Sequence, residues 1–239
     1  MIGIICAMQE ELKEIKAGME PDGELNYSGI DFYLGRLEGQ EIVCAVCGVG
    51  KVFAAICAQT MILKFHPSLI INVGVAGSLS KSLGVADIVI ARQLVQHDMD
   101  VTALGVPRGQ ILGSDIRYIP TSEEVRDALF SSIMMLNAEG AFGKKEVKAL
   151  QGTIASGDQF ISSKGQKQLI VEEFDAIACE MEGASIAQVC YVNKLPFCVL
   201  RAISDSADAD AKMDYPAFVE LAAANSAKVI KRFLQSRGE

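Results

Sequence analysis

The sequence predicts an α/β fold, a three-layer αβα sandwich around a central sheet that is mixed and mostly parallel. Short runs rich in isoleucine and valine alternate with longer segments of helical period along all 239 residues. Half of the residues are apolar and 22% are charged, which is typical of a chain with a sizeable core. No linker, repeat, charge run or low-complexity stretch divides the chain, so we expect one domain over residues 1–239.

Each predicted strand is a short apolar run, and an antiparallel pair is expected within residues 31–47. In sheets of this kind, ligands bind beyond the carboxyl ends of the strands, so the residues that follow each strand are the candidates for a site. The eight expected strands are Ile2–Cys6, Asp31–Leu37, Glu41–Cys47, Leu69–Val75, Ile88–Val95, Ala149–Ala155, Ala176–Cys179 and Phe197–Ile203.

Six segments of helical period alternate with these strands. The last has a clear start, because Asp214 can cap it and Pro216 falls in its first turn, where a missing amide is harmless. The expected helices are Gln9–Ala17, Lys51–Lys64, Ser122–Ala138, Gly165–Phe174, Glu182–Val192 and Tyr215–Gln235. The buried stripe of the last helix is predicted to be Phe218, Leu221, Ala222, Val229, Ile230 and Phe233.

Charge and composition argue against several classes of function. Thirty Asp and Glu against 22 Lys and Arg give a net charge of −8, which is unfavourable for binding nucleic acid or anionic lipid. The start MIGIICAMQE lacks the charged region of a signal peptide, and the longest uncharged stretch, residues 65–80, is too polar to span a bilayer. Six of the seven cysteines lie in apolar runs, which predicts reduced thiols and a cytoplasmic protein.

Two short motifs suggest a nucleotide or metal site that their surroundings do not support. The segment CGVGK lacks the further glycine and the hydroxyl residue of a phosphate loop. What remains is a turn at Gly48 and Gly50 that either lines a ligand or is only a tight turn. The CxxC pair at residues 44–47 lies along a strand, and the chain has only two histidines, so core packing is favoured over zinc or redox chemistry. We expect neither a metal nor a cofactor.

Carboxylates gather at the ends of three predicted strands. Glu11 stands in AMQEE, Glu180 and Glu182 in CEMEG, and Asp205 in RAISDSAD. Taken singly, an acid in the first turn of a helix is explained by the helix dipole. Acids at three carboxyl edges of one sheet, however, predict acid–base chemistry on a small molecule, since such sites hold carboxylates whose protonation states differ.

These motifs, taken in order, resemble the 5′-methylthioadenosine/S-adenosylhomocysteine nucleosidases, members of the nucleoside phosphorylase superfamily. The resemblance spans almost the whole chain and is carried by IGIICAMQEEL, CGVGKVFAA, INVGVAGSL, QHDMDVTALG, ASGDQFI, CEMEGASIAQVC and LRAISDSAD. It implies a fold like that of the nucleoside phosphorylases, and a reaction in which water cleaves the bond between adenine and C1′ of a 5′-thio-substituted ribose. A close variant hydrolyses 6-amino-6-deoxyfutalosine. A catalytically silent adenosine-binding module is the alternative from another class, favoured only if an acid were missing.

The resemblance implies roles for five residues near the reacting bond. Asp205 protonates adenine N7, Glu11 positions and deprotonates the water, and Glu182 holds the ribose hydroxyls. Ser204 orients Asp205, and Arg201 lies near the water and Glu11. From spacing alone, Arg201 shares a face with Asp205 only if the strand stays regular that far.

The resemblance also implies the lining of the substrate pocket, in which Phe160 stacks on adenine and the backbone of Ile161 reads the edge of the base. Ordinary core packing is the alternative for Phe160, Met181 and Tyr215. The expected substrate-binding residues are Ala7, Met8, Val49, Val75, Ala76, Gly77, Phe160, Ile161, Glu180, Met181, Tyr215, Val101, Leu104 and Leu112. The last three belong to an apolar loop that in the family reaches the other subunit, so the expected partners are a nucleoside and a second copy of the chain.

The chain departs from the family pattern at Val75 and in the loop of residues 101–112. Many relatives have serine at the place of Val75, so a hydroxyl hydrogen bond near the water or sugar is absent here. The loop is often more aromatic in the family, which bears on the length of the accepted 5′ group. Relatives that transfer ribose to phosphate resemble one another in placing an arginine where this chain has Asn72.

Overall fold

The computed structural model describes residues 1–143, 146–207 and 211–238, with only the backbone of residues 211–217. All eight predicted strands and all six predicted helices are present within these residues. The strands are β1 (Ile2–Cys6), β2 (Glu20–Tyr27), β3 (Ile30–Leu37), β4 (Gln40–Val46), β5 (Leu69–Ser78), β6 (Ile88–Gln96), β7 (Ile119–Pro120), β8 (Ala149–Ser156), β9 (Ala176–Glu180) and β10 (Phe197–Asp205). The α-helices are α1 (Gln9–Ala17), α2 (Lys51–Phe65), α3 (Glu123–Ala138), α4 (Lys164–Phe174), α5 (Gly183–Val192) and α6 (Ala211–Ser236).

These strands form one mixed sheet, part of which closes on itself. β1 pairs in parallel with β4 and β5, and β3 and β2 extend the sheet beyond β4 by antiparallel pairing. β5 also pairs with both β9 and β10, and the path from β10 through β6 and β8 leads back to β9. Five strands therefore make a closed ring, a small barrel beside the open part of the sheet.

Helices cover both faces of the sheet, because successive side chains of each strand point to opposite faces. On one face, Ile4 of β1 belongs to a cluster with Leu12 of α1, Leu129 of α3 and Phe233 of α6. On the other, Ile5 belongs to a cluster with buried residues of α2 and α5. The predicted αβα sandwich with a mixed sheet is confirmed. The sheet is less parallel than expected, because five of its ten described pairings are antiparallel, and the β10–β6 and β5–β9 ladders among them lie outside residues 31–47.

Two strands have no apolar pattern and are absent from the prediction. β2 contains Pro21, Asp22 and Gly23 and is exposed along almost its whole length at the open edge of the sheet. Hydrogen bonds to β3 hold it there, and burial contributes little, so its sequence shows no alternation. β7 is only two residues long and pairs with β6.

Helix α6 starts earlier than predicted, at Ala211, so neither Asp214 nor Pro216 marks its beginning. The predicted stripe is otherwise largely correct, with Phe218 partly buried and Ala222, Val229, Ile230 and Phe233 buried. Leu221 is 51% exposed, because its position on the helix lies beside this stripe and not within it. In the described part of the chain, neither α6 nor any other helix combines the length and the apolar character needed to cross a membrane.

The carboxyl ends of β5, β9 and β10 meet at Gly77, which is aligned with Cys179 of β9 and with Asp205 of β10. A Cβ atom added at Gly77 would lie 2.9 Å from side-chain atoms of both Asp205 and Ala207. Glycine therefore allows the three strands to meet so closely. Because β1 runs parallel to β5, helix α1 begins at this same edge of the sheet.

Candidate active site

A cavity of about 200 Å³ opens where these strand ends meet. Most of its wall is apolar, and four carboxyl groups face it, which is the composition of a small-molecule site. Its lining consists of Ala7, Met8, Glu11, Val49, Val75, Ala76, Gly77, Gln159, Phe160, Ile161, Cys179, Glu180, Met181, Glu182, Ser204 and Asp205.

Glu11, in the first turn of α1, is fixed by main-chain donors from two parts of the chain. Its Oε2 accepts hydrogen bonds from the N–H groups of Ala7, at 2.8 Å, and Met8, at 2.9 Å, and its Oε1 accepts one from Val75, at 3.0 Å. Burial raises the pKa of Glu11 above its ordinary value, although Arg201 and these donors oppose the shift. Glu11 is therefore a rigidly held carboxylate that takes up a proton more readily than an exposed glutamate.

Arg201 of β10 is buried beneath the cavity and is shared among several acceptors. Its Nη2 donates to Oδ1 of Asn72 at 2.6 Å and forms an ion pair with Glu180 Oε2, and Glu182 Oε2 lies 3.9 Å from the same nitrogen. Burial alone would raise the pKa of Glu180, but Arg201 and the Ser156 hydroxyl outweigh it and hold that pKa below its ordinary value. Glu180 therefore carries the negative charge that compensates Arg201.

Glu182 is held by the glycine turn that precedes α2, since its Oε1 accepts a hydrogen bond from the N–H of Gly50 at 2.8 Å. Gly50 has a φ of 101°, which a residue with a Cβ rarely adopts. Burial and the neighbouring charge of Glu180 raise the pKa of Glu182 to about 7, against the opposing effect of Arg201. The glycine turn therefore contacts a carboxyl group of the cavity and is more than a tight turn.

Asp205 ends β10 with both oxygens held by neighbouring residues. Oδ2 accepts a hydrogen bond from Ser204 Oγ at 2.9 Å, and Oδ1 accepts one from the N–H of Ala207 at 2.8 Å. The register of β10 shifts between Ile203 and Asp205, which interrupts the alternation of side chains. The strand is therefore not regular from Arg201 to Asp205, and spacing along it does not place these two side chains on one face.

The structure brings most of the predicted site residues to this one cavity. Arg201 lies beneath the lining, and the side chain of Tyr215 is outside the described residues. The loop residues Val101, Leu104 and Leu112 do not line the cavity of this chain, and Leu104 and Leu112 are exposed. Every other predicted site residue lines it.

Gln159 and Cys179 line the cavity and were not predicted. Each stands next to a predicted residue, Phe160 or Glu180, and that adjacency was the only signal the sequence offered. Gln159 adds an amide to the rim, and the buried Cys179 donates from its thiol to the carbonyl of Gly77 at 3.7 Å.

The cysteines of the CxxC pair, Cys44 and Cys47, are buried free thiols. Burial raises the pKa of Cys44 to about 12, so it is protonated at neutral pH and behaves as a small apolar residue. Within the ranges that the structure describes, no three His, Cys, Asp or Glu residues gather as a metal-binding group.

Comparison with known proteins places this geometry among purine nucleosidases. Residues 1–235 match the sequence profile of the phosphorylase superfamily. The chain is 39% identical over 237 residues to a 5′-methylthioadenosine/S-adenosylhomocysteine nucleosidase of Staphylococcus saprophyticus, covering 99% of this chain and 100% of the relative. It is 42% identical over 231 residues to an aminodeoxyfutalosine nucleosidase of Helicobacter pylori, covering 96% of each. A Neisseria meningitidis 5′-methylthioadenosine/S-adenosylhomocysteine nucleosidase in complex with methylthio-immucillin-A is 34% identical, with a TM-score of 0.92 over 98% of both chains.

Replacing Glu182 with glutamine is expected to stabilise the protein more at about pH 8 than at about pH 5. Because folding raises the pKa of Glu182 from 4.5 to about 7, its ionisation opposes folding; this cost grows as the pH rises through that interval and is complete above it. The gain in free energy of unfolding should therefore increase by on the order of 2 kcal/mol between the two pH values.

Urea denaturation of Glu182→Gln and of the unmodified protein at both pH values measures this difference. Glu41→Gln, the same change at an exposed ion pair with Arg36, is the matched control. An equal gain at both pH values would contradict the raised pKa.

Proposed function

The chain belongs to the phosphorylase superfamily and, within it, to the family of the 5′-methylthioadenosine/S-adenosylhomocysteine nucleosidases, and on this premise we propose that it hydrolyses the N-glycosidic bond of 5′-methylthioadenosine and S-adenosylhomocysteine. The products are adenine and the 5′-thio-substituted ribose. The observation that carries the proposal is the charge of the cavity. Four carboxyl groups line it, and none of the described lining residues is Lys, Arg or His.

This charge suits the chemistry of the reaction. As the bond to C1′ breaks, positive charge develops on the ribose and adenine leaves with the electron pair. The site must supply an acid for the base, a base for the water and negative charge near the sugar. Buried carboxyl groups in three different hydrogen-bonding environments can divide these tasks.

Asp205 is assigned as the acid that protonates adenine N7. The Ser204 hydroxyl and the Ala207 N–H fix the two oxygens of its carboxyl group, so the side chain is held in one orientation before the base arrives. The closeness of Gly77 brings the same carboxyl to the end of β5. Proton transfer depends first on such placement.

Glu11 is assigned as the group that orients and deprotonates the water. Its raised pKa makes it a better proton acceptor at neutral pH than an exposed glutamate, and its three main-chain donors keep it in place. Val75 supplies one of those donors through its backbone, while its side chain offers no hydrogen bond to the water. The water therefore depends on Glu11, with Arg201 beneath the cavity.

Glu182 is assigned to the ribose hydroxyls, and its neighbour Met181 packs on the sugar. Phe160 is 46% exposed although it lines the cavity, which is unusual for a core residue and suits a ring that a purine covers on binding. Ile161 is buried beside it, which leaves its backbone as the polar group available to the base.

The geometry favours water over phosphate as the nucleophile. Asn72 is buried, with its Nδ2 donating to the carbonyl of Ile5 at 2.9 Å and its Oδ1 accepting from Arg201. Arg201 is in turn paired with Glu180. Asn72 and Arg201 are both buried and neither lines the cavity, and Glu11 would repel a phosphate dianion from it.

The 42% identity to an aminodeoxyfutalosine nucleosidase supports a second candidate substrate, 6-amino-6-deoxyfutalosine, cleaved by the same chemistry. Val49, on the 5′ side of the proposed substrate, is half exposed, so that end of the cavity is open to groups of different length. A silent adenosine-binding module is disfavoured, because the acid, the base and the ribose-binding carboxylate all line one cavity.

A homodimer in the cytoplasm completes the proposal. On α2, Val52, Phe53 and Ile56 are exposed apolar residues, and Leu104 in the neighbouring loop is exposed as well. The Lys51 side chain ties the start of α2 to Asp98, at the beginning of this loop, at 2.6 Å. A surface of this kind is typical of a subunit interface, and a second copy would place the loop over the partner's cavity.

The seven free, buried cysteines suit a reducing compartment.

Adenine release should proceed in phosphate-free buffer and should not accelerate when phosphate is added, because none of the described lining residues is a cation that could bind phosphate. Chromatography of reactions with methylthioadenosine, S-adenosylhomocysteine and aminodeoxyfutalosine gives kcat/KM for each. A ribose 1-phosphate product would overturn the hydrolase assignment, and binding without turnover of any of the three would favour the silent module.

Asp205→Asn should lose roughly 100-fold or more in kcat and still bind the nucleoside, because the amide keeps the shape but cannot deliver a proton. Single-turnover kinetics and calorimetric binding separate the two effects. Asp31→Asn, on the exposed part of β3, is the control. If Asp205→Asn turned over at the normal rate, the acid would have to be another group.

The purified protein should be a dimer in light scattering, and Phe53→Asp should shift it to a monomer, because a charge on the apolar surface disfavours its burial. The matched control is Leu25→Asp, at an exposed apolar residue on the edge strand β2, which should remain a dimer. A fully active monomer of the unmodified chain would contradict this prediction.

A further inference from the structure

The carboxylate of Glu180 lines the cavity, yet the protein itself uses most of its hydrogen-bonding capacity. Its Oε1 accepts from the Ser156 hydroxyl. Its Oε2 accepts from the N–H groups of Glu182, at 3.1 Å, and Gly183, at 2.8 Å, and from Arg201. Oε2 therefore already accepts more donors than its two lone-pair positions, and Oε1 accepts one, so the carboxylate is engaged mainly with the protein.

Ser156 ties this carboxylate to the start of α5. Its hydroxyl oxygen accepts from the N–H of Ala184 at 2.7 Å, and its one proton is donated to Glu180. The donors around Glu180 therefore come from the end of β8, the first turn of α5 and β10. The Glu180 carboxylate and the Ser156 hydroxyl therefore fix the relative positions of β8, α5 and β10 at the edge of the cavity.

Resting on the proposed nucleosidase function, we propose that Glu180 is a positioning residue: with Ser156 it anchors the Arg201 guanidinium and leaves Glu11 and Glu182 without a counter-ion of their own. Among the described residues, one buried cation faces three buried carboxyl groups, and Glu180 makes its closest contact. Arg201 Nη2 remains 3.9 Å from Glu182. Arg201 and Glu11 meet at Gly74, where an added Cβ would lie 3.1 Å from Nη1 and 2.6 Å from Oε1.

The effect of removing the Glu180 charge on the pKa of Glu182 depends on the groups that face Glu182. They are Glu180 from β9, Arg201 from β10, Glu11 from α1, the Gly50 N–H before α2 and the Cys47 thiol after β4. Among these, Glu180 contributes the largest like-charge repulsion, and it also holds the cation that would otherwise pair with Glu182. Loss of its charge should therefore make Glu182 ionise at lower pH.

The test is Glu180→Gln, which keeps the shape and removes the charge. The carboxyl titration of Glu182 is followed in the free protein by carbon NMR of glutamate-labelled samples, with the signal assigned by its absence in Glu182→Gln. We expect the pKa of Glu182 to fall by about one unit or more. In steady-state kinetics, kcat should fall by ~10- to 100-fold with little change in KM, because the reacting groups are misplaced while the ligand contacts remain.

Controls separate charge from packing and from the proposed function. Glu180→Asp retains the charge, so Glu182 should titrate near its original pKa. Glu139→Gln, which breaks an exposed ion pair with Arg232, should change neither readout. An unmoved Glu182 titration in Glu180→Gln, or a raised KM with normal kcat, would overturn the proposal. The NMR titration is measured without substrate. It therefore tests the role of Glu180 even if the unmodified protein releases no adenine.

Should Glu180→Gln fail to fold, Ser156→Ala gives the answer, since it removes one anchor of the carboxylate and keeps the charge. A lowered kcat at unchanged KM then supports the positioning role, and an unchanged kcat overturns it.

Discussion

Among the described residues, a single buried arginine lies beside three buried carboxyl groups, and the pKa values in the cavity depend on which of these groups it contacts. Arg201 pairs with Glu180 and leaves Glu11 and Glu182 in surroundings that favour their protonated forms. A second cation would lower both pKa values and weaken Glu11 as a proton acceptor. The protein stabilises the ionised forms of Glu11 and Glu182 with hydrogen bonds from main-chain N–H groups, which carry partial positive charge and have fixed positions.

This arrangement depends on strand ends that are distant in the sequence and adjacent in space. The ring of five strands brings the end of β9 across the end of β5, and Gly77 makes the crossing possible. Helix α1 and the turn before α2 then deliver Glu11 and Gly50 to the same place. The acids sit on rigid elements, so their spacing survives without a ligand.

The sequence predicted what apolar periodicity and local motifs encode. The eight apolar strands and six helices were recognisable because they bury one or both faces, and the acids were recognisable because they interrupt apolar runs at strand ends. Strand β2 was not predicted, because it is held by hydrogen bonds to β3 and buries almost no side chains, so its sequence has no apolar pattern. The register shift between Ile203 and Asp205 could not be predicted from the sequence either, because it depends on the partner strand. Glu180 was expected to bind substrate, and only its four donors, drawn from separate elements, suggest another role.

The closed ring of strands also bears on how copies of this protein avoid adding to one another's sheets. A ring has no free row of backbone groups, so β2 is the one long unpaired edge among the described strands. It carries Glu20, Asp22 and Glu24 together with Pro21, which lacks an N–H, and its register shifts near Gly23. Like charges and a missing donor make this edge a poor template for a strand from another molecule. The polar sequence of β2, which prevented its prediction as a strand, thus protects the sheet from edge-to-edge aggregation.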